Sequence, residues 1–124
     1  MLDRPRVAVI DDNEIARASI EIGLSSQGWL VSPFCSNTGV VALVEHVRPK
    51  IVLLDDTPFV TGRDTLAEVL RERLGSCVKI LLHTSPSSSD LPARVQESGA
   101  DGFVEKTSDC SHLSRTLNAI LRAG

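Results

Sequence analysis

The chain has 124 residues, of which 42% are hydrophobic and 23% charged, with a net charge of −3 at pH 7. That length supports one hydrophobic core and is short for two, so a single domain over residues 1–124 is expected. The acidic balance supplies no basic field for direct binding of nucleic acid or an anionic membrane, and no apolar run approaches the roughly 20 residues that span a bilayer.

The first apolar run, Val7–Ile10, predicts a strand, and it stops at Asp11-Asp12 instead of extending into a secretion signal. From Glu14 to Gln27 the recurrence of Ile15, Ala18 and Ile22 predicts a helix whose apolar stripe those residues form, with Gly28 closing its C-terminus. Trp29–Phe34 is a second strand. Val40, Val41, Leu43, Val44 and Val47 predict a helix from Thr38 to Val47, stopped by Pro49. Ile51–Leu54 is a third strand, and Leu66, Val69, Leu70 and Leu74 mark a third helix ending at Gly75. Val78–Leu82 is a fourth strand. After the Ser-rich loop at 85–89, a fourth helix is expected from Ser89 or Asp90 through Val95 to Gly99, with Pro92 tolerated only in its first turn. Gly102–Val104 is the fifth strand. The fifth helix carries Leu113, Leu117, Ile120 and Leu121 after a cap at Ser108.

Strands rich in Val, Ile and Leu without polar alternation are covered on both faces. Their regular exchange with helices predicts an α/β fold: three layers, a doubly wound five-stranded parallel sheet and five helices. Cys35, Cys77 and Cys110 are scattered and form no CxxC pair, which reads as incidental thiols in a reducing compartment, hence the cytoplasm.

Ligands of such sheets gather beyond the carboxyl ends of the strands, at the point where strand order reverses. Here those ends carry Asp11-Asp12, Asp55-Asp56, His83-Thr84 and Glu105-Lys106. In the flavodoxin-like order 2-1-3-4-5 the first and third strands are neighbours, so Asp11, Asp12 and Asp55 come within reach of one another. Crowded carboxylates repel unless a cation compensates, and Mg²⁺ or a similar hard ion suits oxygen ligands beside a phosphate. The plainer alternative is that Asp12 or Asn13 simply caps the first helix. His83 is expected to pack at or near a strand end.

Val7-Ala8-Val9-Ile10-Asp11-Asp12-Asn13-Glu14, Pro49 to Asp55, Lys79 to Ser85 and Gly99 to Lys106 occur in order at matching spacing. Together they resemble the receiver family of two-component response regulators over nearly the whole chain. The resemblance implies that Asp55 is the nucleophile that accepts a phosphoryl group from a sensor histidine kinase or a histidine phosphotransfer protein. It implies Mg²⁺ or Mn²⁺ held directly by Asp12, through water by Asp11, and by Asp55 and the Thr57 carbonyl. Lys106 and Thr84 then bind phosphoryl oxygens, with the small Ser85 leaving room. Phe103 falls at the family's switch aromatic, against the alternative that it is core. A downstream protein is expected on the face of the fourth helix, fifth strand and fifth helix, where Phe103, Arg94 and Arg115 are candidates; homodimerisation is open.

Three features depart from the family pattern: Pro58 comes three residues after Asp55 within an irregular Asp56–Thr65 stretch, Asp56 adds a second acid, and Thr107 replaces a proline after Lys106. They leave a pseudo-receiver, an interaction module without the chemistry, as the alternative function. The cost of a cis bond before a non-proline residue predicts a trans peptide between Lys106 and Thr107. A haloacid-dehalogenase-type phosphatase is disfavoured, because Asp55-Asp56-Thr57 lacks the Asp-x-Asp such enzymes carry.

Overall fold

The computed structural model describes residues 4–36, 39–55, 60–61, 64–84, 95–96, 99–107 and 109–123. Five strands form one parallel sheet: β1 (Arg6–Ile10), β2 (Leu30–Phe34), β3 (Ile51–Asp55), β4 (Lys79–Thr84) and β5 (Gly102–Glu105). Their order is β2-β1-β3-β4-β5, as the sequence predicts. Pro33, which has no N–H to donate, is accommodated because β2 is an edge strand.

Alternate residues of the strands feed two separate cores. Ala8, Ile10, Val52, Leu54, Ile80 and Leu82 pack with α2 (Val40–Val47) and α3 (Leu66–Leu74) on one face. Val7, Val9, Ile51, Leu53, Leu81 and Val104 pack with α1 (Glu14–Ser26) and α4 (Cys110–Ala123) on the other. Apart from Arg6, Asp55 and Lys79 at strand ends, every side chain of β1, β3 and β4 is buried, which explains the apolar runs Val7–Ile10, Ile51–Leu54 and Ile80–Leu82.

Helix α1 turns a different stripe to the sheet from the one expected. Ile20 and Leu24 are buried, whereas Ile15 and Ile22 are 80% and 72% exposed and Ala18 is exposed too. Both stripes recur at helical spacing, but only Ile20 and Leu24 meet Trp29, Leu113 and Leu117. The end of α1 is as expected: Gly28 sits at φ 95° with its N–H on Ser25 O, and the Trp29 N–H reaches Leu24 O. Those two bonds and the contact between buried Leu24 and Trp29 make a Schellman closure. The Trp29 indole then donates to Ser114 Oγ at 2.9 Å inside the core, tying the residue before β2 to α4.

Helix α4 begins one residue later than a cap at Ser108 requires; Ser108 itself lies outside the described residues. Asp109 caps it instead, with Oδ1 accepting from the N–H groups of Ser111 and His112. The Ser111 hydroxyl and these N–H groups hold the Asp109 carboxyl below its ordinary range. In the Asp56–Thr65 stretch the chain makes a two-residue antiparallel ladder, Val60–Thr61 with Asp64–Thr65. Thr65 then caps α3, its Oγ1 accepting from the Glu68 N–H at 3.1 Å.

Four helices lie among the described residues, against five expected. Most of the fourth predicted helix, Ser89 or Asp90 to Gly99, lies outside them. Val95 and Gln96 are helical, and the Gly99 N–H meets Val95 O at 3.2 Å. Every described peptide bond is trans, that between Lys106 and Thr107 included. The cysteines are free thiols, and no helix of the described residues is long and apolar enough to cross a membrane.

Candidate functional site

The carboxyl end of the sheet holds a compact charged group. Asp11 follows β1 and Asp55 ends β3, each two residues beyond a core residue (Val9, Leu53) of the α1–α4 face, so alternation carries both carboxylates to that side. Lys106 leaves β5 two residues after Val104 and bridges them: Nζ donates to Asp55 Oδ1 at 2.7 Å and lies 3.6 Å from Asp11 Oδ2. Burial alone would lower the Lys106 ammonium. The hydrogen bond and charge of Asp55, with Asp11 behind them, outweigh it and raise its pKa above the ordinary value.

Asp11 is 1% exposed and fixed by its surroundings. Oδ1 takes the Asn13 N–H at 2.9 Å, and Arg17 on α1 donates to the Asp11 carbonyl at 2.8 Å and to Cys35 Sγ at 3.0 Å. Asp12 turns the other way. It is exposed, and its carboxylate accepts from the Ser36 N–H at 2.8 Å and the Ser36 hydroxyl at 2.6 Å. The expectation that Asp12 joins the other two carboxylates is therefore met only for Asp11 and Asp55. Asn13 is the cap of α1, its Oδ1 accepting from Ala16.

Among the described residues, three buried polar atoms at this end have no hydrogen bond: Thr84 Oγ1, His83 Nε2 and Asp11 Oδ2, the last with only the Lys106 ammonium 3.6 Å away. Leaving such an atom unpaired costs about 1–3 kcal/mol, so three together mark a place where a ligand would be favoured. His83, on β4, is 3% exposed; burial, with the positive charge of Lys106 and against the charge of Asp55, holds its pKa down at about 4. Phe103 on β5 is 41% exposed and belongs to neither apolar core, which removes the reading of it as a core residue. Arg115 is exposed on α4; Thr57, Ser85 and Arg94 lie outside the described residues.

The donor set fits a hard divalent cation by its chemistry. The candidate ligands are all oxygens, two carboxylates share one ammonium, and Asp11 Oδ2 is buried with only that ammonium, 3.6 Å away, beside it. With Asp12 held by Ser36, no set of three or more His, Cys, Asp or Glu side chains among the described residues is already arranged around a cation position. Sequence reasoning missed Ser36, Arg17 and the orphan nitrogen of His83. Ser36 was within reach of the strand-end rule, because β2 neighbours β1 and the Asp11 N–H is bonded to Phe34 O.

Comparison with known proteins agrees with this architecture. The family model described as response regulator receiver domain matches residues 7–118. Transcriptional regulatory protein AfsQ1 of Streptomyces coelicolor is 30% identical over 121 residues, covering 97% of this chain and 52% of that protein. The crystal structure of a LuxR-family two-component response regulator from Aurantimonas sp. superposes with a TM-score of 0.75 at 25% identity, over 98% of this chain and 87% of that one. A response regulator from Desulfuromonas acetoxidans reaches 0.79 at 19% identity over 96% and 98%, a likeness of fold alone. The chain spans about half the length of the curated relatives it matches. Taken with the strand order and the carboxylates at its switch point, the match over residues 7–118 settles the family: the chain belongs to the response regulator receiver domains of two-component signalling.

Proposed function

We propose that Asp55 accepts a phosphoryl group from a sensor histidine kinase or a histidine phosphotransfer protein, and that the domain thereby switches a protein-binding surface in the cytoplasm. The observation that carries this reading is the pairing of Asp55 with Lys106, beside the unpartnered hydroxyl of Thr84 on the neighbouring strand. A nucleophile, an ammonium for the transferred charge and a free hydroxyl are what phosphoryl transfer asks of a protein, since that reaction is chiefly positioning and charge neutralisation.

One oxygen of Asp55 attacks phosphorus, forming the new P–O bond as the donor's bond breaks and its electron pair leaves with the donor. Lys106 is placed to follow the charge from the carboxylate to a phosphoryl oxygen, and Thr84 to donate to another. Asp11, Asp12 and Asp55, with the Thr57 carbonyl, are the residues to hold Mg²⁺ or Mn²⁺, which when bound offsets the negative charge of the phosphoryl oxygens. Asp12 takes up that role by releasing Ser36.

The surface to be switched is that of β5 and α4, where Phe103 and Arg115 are exposed. The relatives matched are transcriptional regulators about twice this length, so the output rests with a downstream protein or a further segment. The test is Mg²⁺-dependent labelling by acetyl phosphate read by intact mass. Wild type should gain one phosphoryl group and Asp55→Asn none, with both folded. Equal labelling of the two would move the acceptor to another residue. No labelling of wild type, with no Mg²⁺ effect on melting, would leave an interaction module without the chemistry.

A further inference from the structure

His83 is the buried titratable group that this reading leaves without a task. It pairs in register with Asp55 on β3 and with Val104 on β5. It stands two residues beyond Leu81, which packs on the α1–α4 face with Leu53 and Val104. Alternation therefore carries the imidazole to the same side of the sheet as the Asp55 carboxylate, one strand spacing away. Its Nε2 is buried and has no hydrogen bond. An apolar residue would fill this place without that cost, as Leu53, Leu81 and Val104 do around it, so the nitrogen points to a partner that arrives later.

We propose that this partner is Asp55 itself in its phosphorylated form: His83 Nε2–H donates to the carboxyl oxygen that does not carry phosphorus, and so sets the lifetime of the acyl phosphate. The inference rests on the phosphoryl-acceptor reading above. In the free state Lys106 holds Asp55 Oδ1. When Lys106 follows the charge onto the phosphoryl group, the acyl oxygen gives up the Lys106 hydrogen bond, and the imidazole beside it takes that place on one lone pair while the other stays open to the metal. A neutral imidazole carries one N–H and one bare nitrogen, and the partner selects which nitrogen is protonated. Burial and the ammonium of Lys106 keep His83 neutral at physiological pH, so it offers a hydrogen bond without adding a charge.

The consequence is kinetic. In hydrolysis, water oxygen forms a new bond to phosphorus and its proton passes to solvent. The bond from phosphorus to Asp55 breaks, and its electron pair returns to the carboxylate. A donor already bonded to that carboxylate stabilises the charge as it develops, so His83 speeds loss of the phosphoryl group.

The experiment follows decay of the labelled protein after the phosphodonor is removed, in wild type, His83→Leu and His83→Gln. His83→Leu should lengthen the lifetime about ten-fold, the equivalent of about 1.4 kcal/mol of barrier. His83→Gln, whose amide restores a donor, should return it most of the way. A packing role alone would give no recovery with Gln. Imidazole ¹⁵N spectra of the wild type with beryllofluoride and Mg²⁺ add a measurement that needs no variant: Nε2 should become the protonated, hydrogen-bonded nitrogen. Equal or shorter lifetimes in His83→Leu overturn the inference, as does an imidazole that does not respond while the Asp55 and Lys106 signals shift. Those outcomes leave the acceptor reading standing, whereas failure of the wild type to label removes both.

Discussion

Asp11 and Asp12 are consecutive and chemically identical, and the fold treats them oppositely. Asp11 continues the inward alternation of β1, is 1% exposed, and shares Lys106 with Asp55. Asp12 faces solvent and is held by a serine from the end of β2. The buried carboxylate has one oxygen without a hydrogen bond, 3.6 Å from Lys106; the exposed one has both oxygens bonded to Ser36. The lesson is that a strand end sorts its residues by parity: the inner one is buried and held in place, and the outer one faces solvent. The first is costly to disturb and the second is not.

The sharpest way to break this division is to remove the cation of the buried half. Lys106→Ala leaves Asp11 and Asp55 facing each other without their ammonium. Phosphoryl uptake should fall about 10²–10³-fold, the range seen when one charge-stabilising donor is lost. Stability should fall by about 1–2 kcal/mol, short of the roughly 3–5 kcal/mol lost with a fully buried pair, because the Lys106 side chain is 35% exposed. Labelling rates and urea melts measure the two. Unchanged labelling would place the transferred charge elsewhere.

Acid should attack the same half. Burial, with the charge of Lys106, holds His83 down at about 4 in the folded protein, against an ordinary 6.5. Between those values the unfolded chain binds a proton that the folded one does not. Stability is therefore complete above about pH 6.5, declines as pH falls, and levels below about pH 4, a loss on the order of 3 kcal/mol. His83→Leu should remove this part of the pH dependence, so the stability difference between it and wild type should change across that window. A difference flat from pH 4 to 7 would show that the folded protein does not depress this group.

On the exposed half the effects should be small and of opposite kinds. Ser36→Ala removes the hydroxyl bond to Asp12 and keeps the backbone one, at about 0.5–1 kcal/mol of stability. If Mg²⁺ recruits Asp12, that energy reappears as tighter Mg²⁺ binding by about two- to five-fold. Calorimetric titration with Mg²⁺ decides it, and weaker binding in Ser36→Ala would mean that the serine helps to hold Asp12 toward the metal.

How far such a division can be read from sequence depends on whether one signal or two are present. The strand-end residues Asp11, Asp55, Thr84 and Lys106 were legible because parallel strands are short, apolar and sharply terminated, so the ends are located to within a residue or two. Asp12 was placed with them because adjacency in sequence hides parity, and its partner Ser36 lies 24 residues away. Helix α4 was read correctly: its apolar residues lie on one stripe, and Leu113 and Leu117 are buried where Ile120 and Leu121 pack against them. Helix α1 was not, because it carries two stripes. The Asp109 cap was missed for Ser108 because both are good capping residues one position apart.

Helix α1 therefore provides the mildest expected change and a direct test of parity on a helix. Ile22 is 72% exposed and Leu24, two positions on, is wholly buried against Trp29, Leu113 and Leu117. Ile22→Lys should alter stability by no more than about 0.5 kcal/mol, since it exchanges one solvated side chain for another of better helix propensity. Leu24→Ala should cost about 2–5 kcal/mol through the lost transfer energy and the cavity left behind. The two substitutions are made on one helix with one backbone, so propensity cannot account for a gap between them; only the direction each side chain faces can. Chemical denaturation of the pair supplies the measurement. A large loss in Ile22→Lys would mean that the outer stripe of α1 is covered in the folded state, and the helix would have to be rotated about its axis to explain it.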